Sequence, residues 1–165
     1  MQADTLSGWF EGFSALHERA KRGELSPEER AEYQHARDEL AEALLLAQQI
    51  SPQPGAGQRR TLRVAQALPV EITTPTTRVL AVTLDLSSGG FSTIMSAPPE
   101  VGTRIEFRLR LGRGYEPVGG SARVVNAVPQ NGSIRVGMAF DEVAAAERDR
   151  LEFVIIDAVL KQFGR

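Results

Sequence analysis

One stretch of the chain has a strict two-residue repeat: Arg104-Ile105-Glu106-Phe107-Arg108-Leu109-Arg110-Leu111. Its apolar residues alternate with charged ones, which is typical of a strand with one buried face and one solvated face. Turn residues separate the segments of this half of the chain and no helical pattern intervenes, so a six-stranded antiparallel barrel is predicted, in a protein of mainly β structure with some α. The other five predicted strands are 68–74, 78–85, 90–95, 117–126 and 133–140.

Helical patterns precede and follow the predicted barrel. Residues 4–22 and 26–50 have apolar side chains at intervals of three and four, so we expect an antiparallel helical hairpin. Ser26-Pro27-Glu28-Glu29 has the composition of a capping box and predicts the start of the second helix. A last helix is predicted from about Val143 to Phe163, with two apolar stripes that need two neighbours.

These patterns divide the chain into three parts. We predict a helical hairpin over 1–50, a Pro/Gly-rich linker over 51–58 and a barrel domain with its C-terminal helix over 59–165. The hairpin has more apolar surface than two helices can bury alone, so it should dock on the barrel, on a second copy or on a partner protein. Homodimerisation through the hairpin and the last helix is the favoured prediction.

Composition and charge exclude several classes of protein. The 165 residues include no cysteine, which excludes disulfides and thiolate metal sites. Residues 1–50 have ten acids and five bases, net −5, and the remainder has eleven acids and fourteen bases, net +3, which is too small for general nucleic-acid binding. No export signal or membrane-spanning segment is evident, so we expect a cytoplasmic protein.

The sequence indicates no catalytic or metal centre. His17 and His35 fall in the predicted hairpin without a second ligand at metal spacing, and both are interpreted as surface residues. No nucleophile occurs with a supporting base, so we expect a protein that is not an enzyme and has no metal or cofactor.

Two polar clusters stand out: Gln58-Arg59-Arg60-Thr61-Leu62-Arg63 before the first strand, and Asp85-Leu86-Ser87-Ser88-Gly89-Gly90 at the end of the second. In an antiparallel hairpin with its turn at Thr74-Pro75-Thr76-Thr77, the beginning of the first strand lies beside the end of the second. We therefore expect both clusters on the same rim of the barrel.

The residue types of the two clusters suit a ligand with phosphates and guanine. Arginine presents a planar fork that fits phosphate oxygens or the acceptor edge of guanine. Asp85 can accept hydrogen bonds from the ring N–H and amino group of guanine, Ser87 adds a hydroxyl, and Gly90 lets a flat ligand approach the backbone. The alternatives are a solvated arginine linker and an ordinary Asp-Ser-Gly turn.

At these residues the chain resembles the PilZ domain family, bacterial receptors for cyclic di-GMP (c-di-GMP). Both family patterns are present, Arg-x-x-x-Arg at Arg59 and Arg63, and Asp/Asn-x-Ser-x-x-Gly at Asp85, Ser87 and Gly90. The similarity covers about residues 58–163 and excludes the hairpin. It continues through 64–72, 101–103 and 135–140.

The resemblance implies a PilZ-type barrel in which an arginine-bearing linker wraps over c-di-GMP. The arginines would bind phosphates and guanine acceptor edges, and the second motif would hold a guanine. The chain departs from the family at Asn126, where many members have tryptophan. The binding residues implied are Arg59, Arg60, Arg63, Asp85, Ser87 and Gly90.

The function implied is that of a receptor or adaptor without enzymatic activity. Binding of c-di-GMP would change the arrangement of hairpin and barrel or the contact with a downstream protein partner, in motility or surface polysaccharide regulation. The alternative is a PilZ-fold interaction module that does not bind nucleotide. A nucleic-acid-binding barrel is a third possibility, but the strands lack aromatic residues for base stacking.

Overall fold

The computed structural model describes residues 2–50, 61–112 and 114–163. The predicted linker 51–58 and two of the predicted ligand residues, Arg59 and Arg60, lie outside these ranges. The chain divides into two compact units. The first extends to Leu62 and contains the two N-terminal helices, and the second runs from Arg63 to Phe163.

The first unit is a pair of helices, α1 (Gln2–Lys21) and α2 (Pro27–Ile50). The predicted capping box is confirmed: the Glu29 N–H donates to Ser26 Oγ at 3.2 Å, and the Ser26 N–H donates to Glu29 Oε2 at 2.9 Å. Arg19 on α1 binds both carboxylate oxygens of Glu29 at 2.9 Å. This fork therefore connects the two helices at the capped end of α2.

Aromatic rings fill the contact between α1 and α2. Phe13 stacks on Trp9 at 5.3 Å and on Tyr33 at 5.7 Å between ring centroids. The interpretation of His17 as a surface residue was wrong: it is fully buried, with Nδ1 2.7 Å from the Tyr33 hydroxyl. His17 lies one helical turn after Phe13, so it faces the same side of α1, and Tyr33 supplies a polar partner there. His35 is exposed, as predicted.

The second unit is a closed antiparallel barrel. Its strands follow the spatial order β3-β2-β5-β6-β7-β4, and pairing of β4 with β3 closes the ring. This arrangement confirms the predicted six-stranded barrel, and a two-residue strand β1 is added along β3. The strands are β1 (Val64–Ala65), β2 (Pro69–Thr73), β3 (Arg78–Ser87), β4 (Gly90–Met95), β5 (Arg104–Leu109), β6 (Val118–Gln130) and β7 (Ser133–Glu142).

The barrel interior is formed by the apolar residues of the predicted alternation. Phe91, Phe107 and Phe140 lie together, with ring centroids 5.0–6.0 Å apart. A C-terminal helix, α3 (Ala145–Phe163), packs against β1, β3 and β6. No helix among the described residues is long and apolar enough to span a membrane. The buried residues of α3 are Leu151, Val154, Ile155, Ile156, Ala158 and Val159.

Two of the predicted turns fix the strand registers. Asn131 and Gly132 connect β6 to β7 as a two-residue loop, and both have positive φ, 49° and 80°, as a type I′ turn requires. At the β2–β3 turn, the Thr74 N–H donates to the Thr77 carbonyl at 2.8 Å. The two hairpins therefore form where the sequence predicted them.

Three β-bulges interrupt the described barrel strands, and one of them is on β7, where the pairing with β6 shifts between Ser121 and Ala122. On β3 the pairing with β4 shifts between Thr83 and Asp85, and on β6 the pairing with β7 shifts between Val124 and Asn126. Each bulge inserts one extra residue and so changes which side chains face outward beyond it. The alternating pattern of the sequence did not predict any of the three bulges.

Candidate functional site

The short strand β1 determines where the arginine segment lies. Val64 is opposite Leu86 and Ala65 is opposite Asp85, so the exposed Arg63 immediately precedes the residues that pair with the end of β3. This register confirms that the segment of Arg63 runs beside the Asp-x-Ser-x-x-Gly motif. The connection from β1 to β2 is bound to Thr83 on β3. The Thr83 hydroxyl donates to the Gln66 carbonyl and accepts a hydrogen bond from the Leu68 N–H.

The second motif forms the hairpin turn between β3 and β4. Ser87 is opposite Gly90, and Ser88 and Gly89 form the loop. The Ser87 hydroxyl is buried; it accepts the Gly89 N–H at 3.2 Å and donates to the Gly90 carbonyl at 3.4 Å. In this structure the motif is therefore also a hydrogen-bonded turn, and Ser87 stabilises it.

Gly90 has a packing role that the sequence did not reveal. A Cβ atom at this position would lie 1.9 Å from the carbonyl oxygen of Met138 on the neighbouring strand β7. Glycine is thus required for the close approach of β4 to β7. This reason is independent of any ligand.

Asp85 belongs to a polar cluster on the outer surface of the barrel. Its Oδ2 accepts a hydrogen bond from Arg135 Nη2 at 2.6 Å, and the same Nη2 lies 3.4 Å from Ser92 Oγ. The side chains of Asp85 and Arg135 are 15% and 33% exposed, so the pair is sheltered but accessible. A charged hydrogen bond of this kind fixes the direction of the carboxylate.

The β3 bulge is what turns Asp85 outward. Thr83 faces the interior, so strict alternation would also direct Asp85 inward; instead Leu86 is fully buried and Asp85 meets the outward-facing Arg135. Bulges commonly re-aim side chains at barrel rims and next to functional sites. The local backbone of β3 therefore makes Asp85 available on the surface.

The β6 bulge adds Asn126 to the same surface. Across the strands, Asp85 is opposite Ser92, Ser92 is opposite Gly137, and Gly137 is opposite Asn126. The Asn126 Oδ1 accepts the Gly137 N–H at 3.1 Å. A Cβ at residue 137 would lie 2.6 Å from this oxygen, so Gly137 provides the space that Asn126 occupies.

The sequence predicted that Arg63, Asp85, Ser87 and Gly90 lie around the end of β3. It gave no indication that Arg135 and Ser92 lie beside them, and Asn126 stood out only as a departure from the family. The alternation of segment 133–140 did predict that Arg135 faces outward. Nothing in the sequence paired it with Asp85, fifty residues away. Ser92 is buried and gave no signal.

Comparisons with known proteins agree with this fold. The model of the PilZ domain family matches residues 57–156. Among curated proteins, none is similar enough in sequence to count as a match.

Several solved structures share the fold. The Bacillus subtilis inhibitor of motility MotI/DgrA is 17% identical with a TM-score of 0.57, and the match covers 69% of this chain and 57% of that one. The PilZ domain of Escherichia coli YcgR with c-di-GMP is 15% identical, with a TM-score of 0.53 and coverage of 64% and 95%. The K. pneumonia MrkH–c-di-GMP complex is 16% identical, with a TM-score of 0.58 and coverage of 65% and 55%.

The chain thus spans little more than half the length of the MotI and MrkH chains. At these identities the structural matches establish the fold alone. The family model matches more than half of this chain, and the matched residues 57–156 include both motifs. From the barrel, the motifs and this match together, we conclude that the chain belongs to the PilZ domain family.

Proposed function

We propose that the chain is a receptor for c-di-GMP that binds the nucleotide at the rim of its barrel. The observation that carries this proposal is the register of β1, which lays the segment of Arg63 beside Asp85. The YcgR and MrkH structures with c-di-GMP have the same fold and support the choice of ligand. The proposed ligand residues are Arg59, Arg60, Arg63, Asp85, Ser87 and Gly90.

Asp85 is proposed to select guanine. Its carboxylate has two oxygens with about four acceptor positions, and Arg135 uses one of them. The ring N–H and amino group of guanine are adjacent donors that fit a carboxylate, whereas adenine lacks this donor pair. Arg135 would hold the carboxylate in position while the nucleotide binds.

The arginines of the first motif are proposed to bind the phosphates. Guanidinium groups form paired, charge-assisted hydrogen bonds with phosphate oxygens, and their planes can stack on a base. Arg63 is exposed and precedes a strand that the barrel holds in place. Arg59 and Arg60 are four and three residues before it, close enough in sequence to reach the same ligand.

We further propose that nucleotide binding is transmitted through the predicted linker 51–58. Contact of the arginine segment with the nucleotide would change how the barrel domain 59–165 is arranged with the hairpin 1–50 and alter contact with a downstream protein. The hairpin and α3 are the proposed surfaces for that partner or for a second copy. The setting would be cytoplasmic, in motility or surface polysaccharide regulation.

Isothermal titration calorimetry with c-di-GMP and c-di-AMP tests the ligand assignment. Both dinucleotides present two phosphates, but only c-di-GMP offers the guanine donors to Asp85. We expect c-di-GMP to bind at least about tenfold more tightly, which corresponds to about 1.4 kcal/mol. Absence of heat with c-di-GMP at high micromolar concentration would reject the receptor and favour the interaction module without nucleotide.

Two substitutions separate the roles of the motifs. Arg63→Ala and Asp85→Ala should each weaken c-di-GMP binding by about 1–3 kcal/mol, the cost of an unpaired charged hydrogen bond. Asp85→Ala should also remove the preference over c-di-AMP, whereas Arg63→Ala should weaken both ligands. Arg148→Ala, at an exposed position of α3, is the control and should bind like the original chain.

Light scattering with and without c-di-GMP tests the proposed coupling. A change of molar mass on nucleotide addition would support the homodimer, and an unchanged mass would direct the search to another protein. Where the mass changes, Arg63→Ala should require a higher concentration of c-di-GMP for the same change, in proportion to its weaker binding. A response of this variant at the same nucleotide concentration as the original chain would contradict the coupling.

A further inference from the structure

The outer face of β3 has a column of three exposed aliphatic side chains, which we call the aliphatic column: Leu80, Val82 and Leu84. They are 80%, 54% and 37% exposed. Outward positions of a barrel strand are usually polar, as they are on β5. Three successive outward aliphatic residues on one strand therefore form a continuous apolar strip.

A groove lined by Leu80 and Val82 separates this column from two arginines, Arg108 on β5 and Arg110 just after its end, which we call the arginine column. The intervening strand β2 contributes Pro69 and Glu71: Leu80 is opposite Glu71, which is opposite Arg108. The groove has a volume of about 330 Å³. Neighbouring strands are about 4.8 Å apart, so the two columns are separated by about 10 Å.

The charges along the groove are predominantly positive. Arg78 holds the pKa of Glu71 below its ordinary value, chiefly through a hydrogen bond, and the charges of Arg108 and Arg110 contribute in the same direction. Glu106 lies opposite Thr73, beyond the groove residues. Among the described residues, Glu71 is the one carboxylate that lines the groove, and Arg78 already binds it; the arginine column supplies two further positive charges.

We propose that this groove binds an amphipathic helix of a partner protein that presents aliphatic side chains flanked by carboxylates. The separation of about 10 Å between the columns matches the diameter of a helix with its side chains, about 10–12 Å. The strand between the two columns, β2, is hydrogen-bonded to β3 on one edge and to β5 on the other, so a partner strand cannot be added within the groove.

Each side of the groove selects one property of the partner. The aliphatic column removes apolar side chains of the helix from water, at about 25 cal/mol per Å² buried. The arginine column favours carboxylates on the flank of the helix and disfavours lysines there. This inference rests on the surface of β2, β3 and β5 and does not depend on nucleotide binding.

Fluorescence anisotropy of the full chain with two designed helical peptides tests the proposal. Each peptide has roughly 18 residues, about five turns, with a leucine face; one has glutamates beside that face and the other has lysines. We expect the glutamate peptide to bind at least about tenfold more tightly than the lysine peptide. Equal binding of the two, or binding of neither up to about 1 mM, overturns the proposal.

Substitutions identify the surface that binds. Leu80→Asp should weaken the glutamate peptide at least about tenfold, and Arg108→Glu with Arg110→Glu should reverse the preference towards the lysine peptide. Val128→Asp, at an exposed aliphatic position of β6, and Arg148→Glu on α3 are the matched controls. All variants are first compared by thermal unfolding.

The pattern across the variants decides the result. Undiminished binding by Leu80→Asp, or an equal loss in Val128→Asp, would place the peptide elsewhere and overturn the proposal. A preference that the charge-reversed variant retains would overturn the role of the arginine column. Because the substituted side chains are exposed, unfolding temperatures should remain within about 2 °C of the original.

Discussion

Two ion pairs on β3 have nearly the same geometry in different surroundings. At the start of the strand, Arg78 binds Glu71 at 2.5 Å, with side chains 69% and 25% exposed. At its end, Asp85 binds Arg135 at 2.6 Å, with side chains 15% and 33% exposed. Water screens the first pair, whereas loss of either partner in the second leaves a sheltered charge. We therefore expect shelter, and not bond length, to decide how much each pair contributes to stability.

The pairs also differ in what must form before them. Glu71 and Arg78 are seven residues apart and meet across one hairpin. Asp85 and Arg135 are fifty residues apart and meet only when β4 pairs with both β3 and β7. The second pair therefore reports on the closed barrel, and the first reports only on its own hairpin.

The largest expected effect comes from disturbing the strand pairing that brings Asp85 to Arg135. Gly90→Ala should destabilise the barrel by about 3 kcal/mol or more, because the new Cβ would lie 1.9 Å from the Met138 carbonyl oxygen. Thermal unfolding by circular dichroism measures this loss.

The matched control for that substitution is Gly119→Ala on β6. Its new Cβ would be 3.5 Å from the Phe107 carbonyl oxygen, an ordinary contact. We expect a stability equal to the original or about 0.5–1 kcal/mol higher. If both alanine variants unfold alike, close approach is not the reason for Gly90.

An intermediate effect is expected from breaking the sheltered pair. Arg135→Ala should reduce the free energy of unfolding by about 1–3 kcal/mol, because Asp85 keeps a charge without its partner. A double-mutant cycle with Asp85→Ala, followed by chemical denaturation, gives the interaction energy. A coupling energy near zero would show that shelter gives this pair no advantage.

The smallest effect is expected at the exposed pair, and it should depend on pH. Hydrogen bonding from Arg78 holds the pKa of Glu71 below its ordinary value in the folded chain. The pair therefore stabilises the fold above the ordinary pKa of glutamate, about 4.3, and loses this contribution as the pH falls through the lower folded value. The Arg78→Ala variant should unfold at a slightly lower temperature than the original chain at pH 7 and at the same temperature near pH 3.

Unfolding temperatures across this pH range check the prediction. The difference between Arg78→Ala and the original chain should shrink as the pH is lowered from about 5 to 3. A difference that grows towards acid would assign the effect to another group.

Local patterns in the sequence were enough for the elements of the fold. The alternation at 104–111 predicted β5, Asn131-Gly132 predicted the β6–β7 turn, and the capping box predicted the start of α2. These signals act within a few residues, so they need no knowledge of the rest of the chain. The partner of His17 lies on another helix, and its burial was therefore missed.

The sequence by itself determined the barrel, its hairpin turns and the family motifs around the end of β3. Only the tertiary structure decided which side chains lie beside them, because a bulge on β3 turns Asp85 outward and barrel closure brings Arg135 to it. A period of two cannot encode its own interruption, since one extra residue reverses every later position. The same limit applies to the exposed column Leu80, Val82 and Leu84, whose aliphatic residues resemble core until the barrel places them outside.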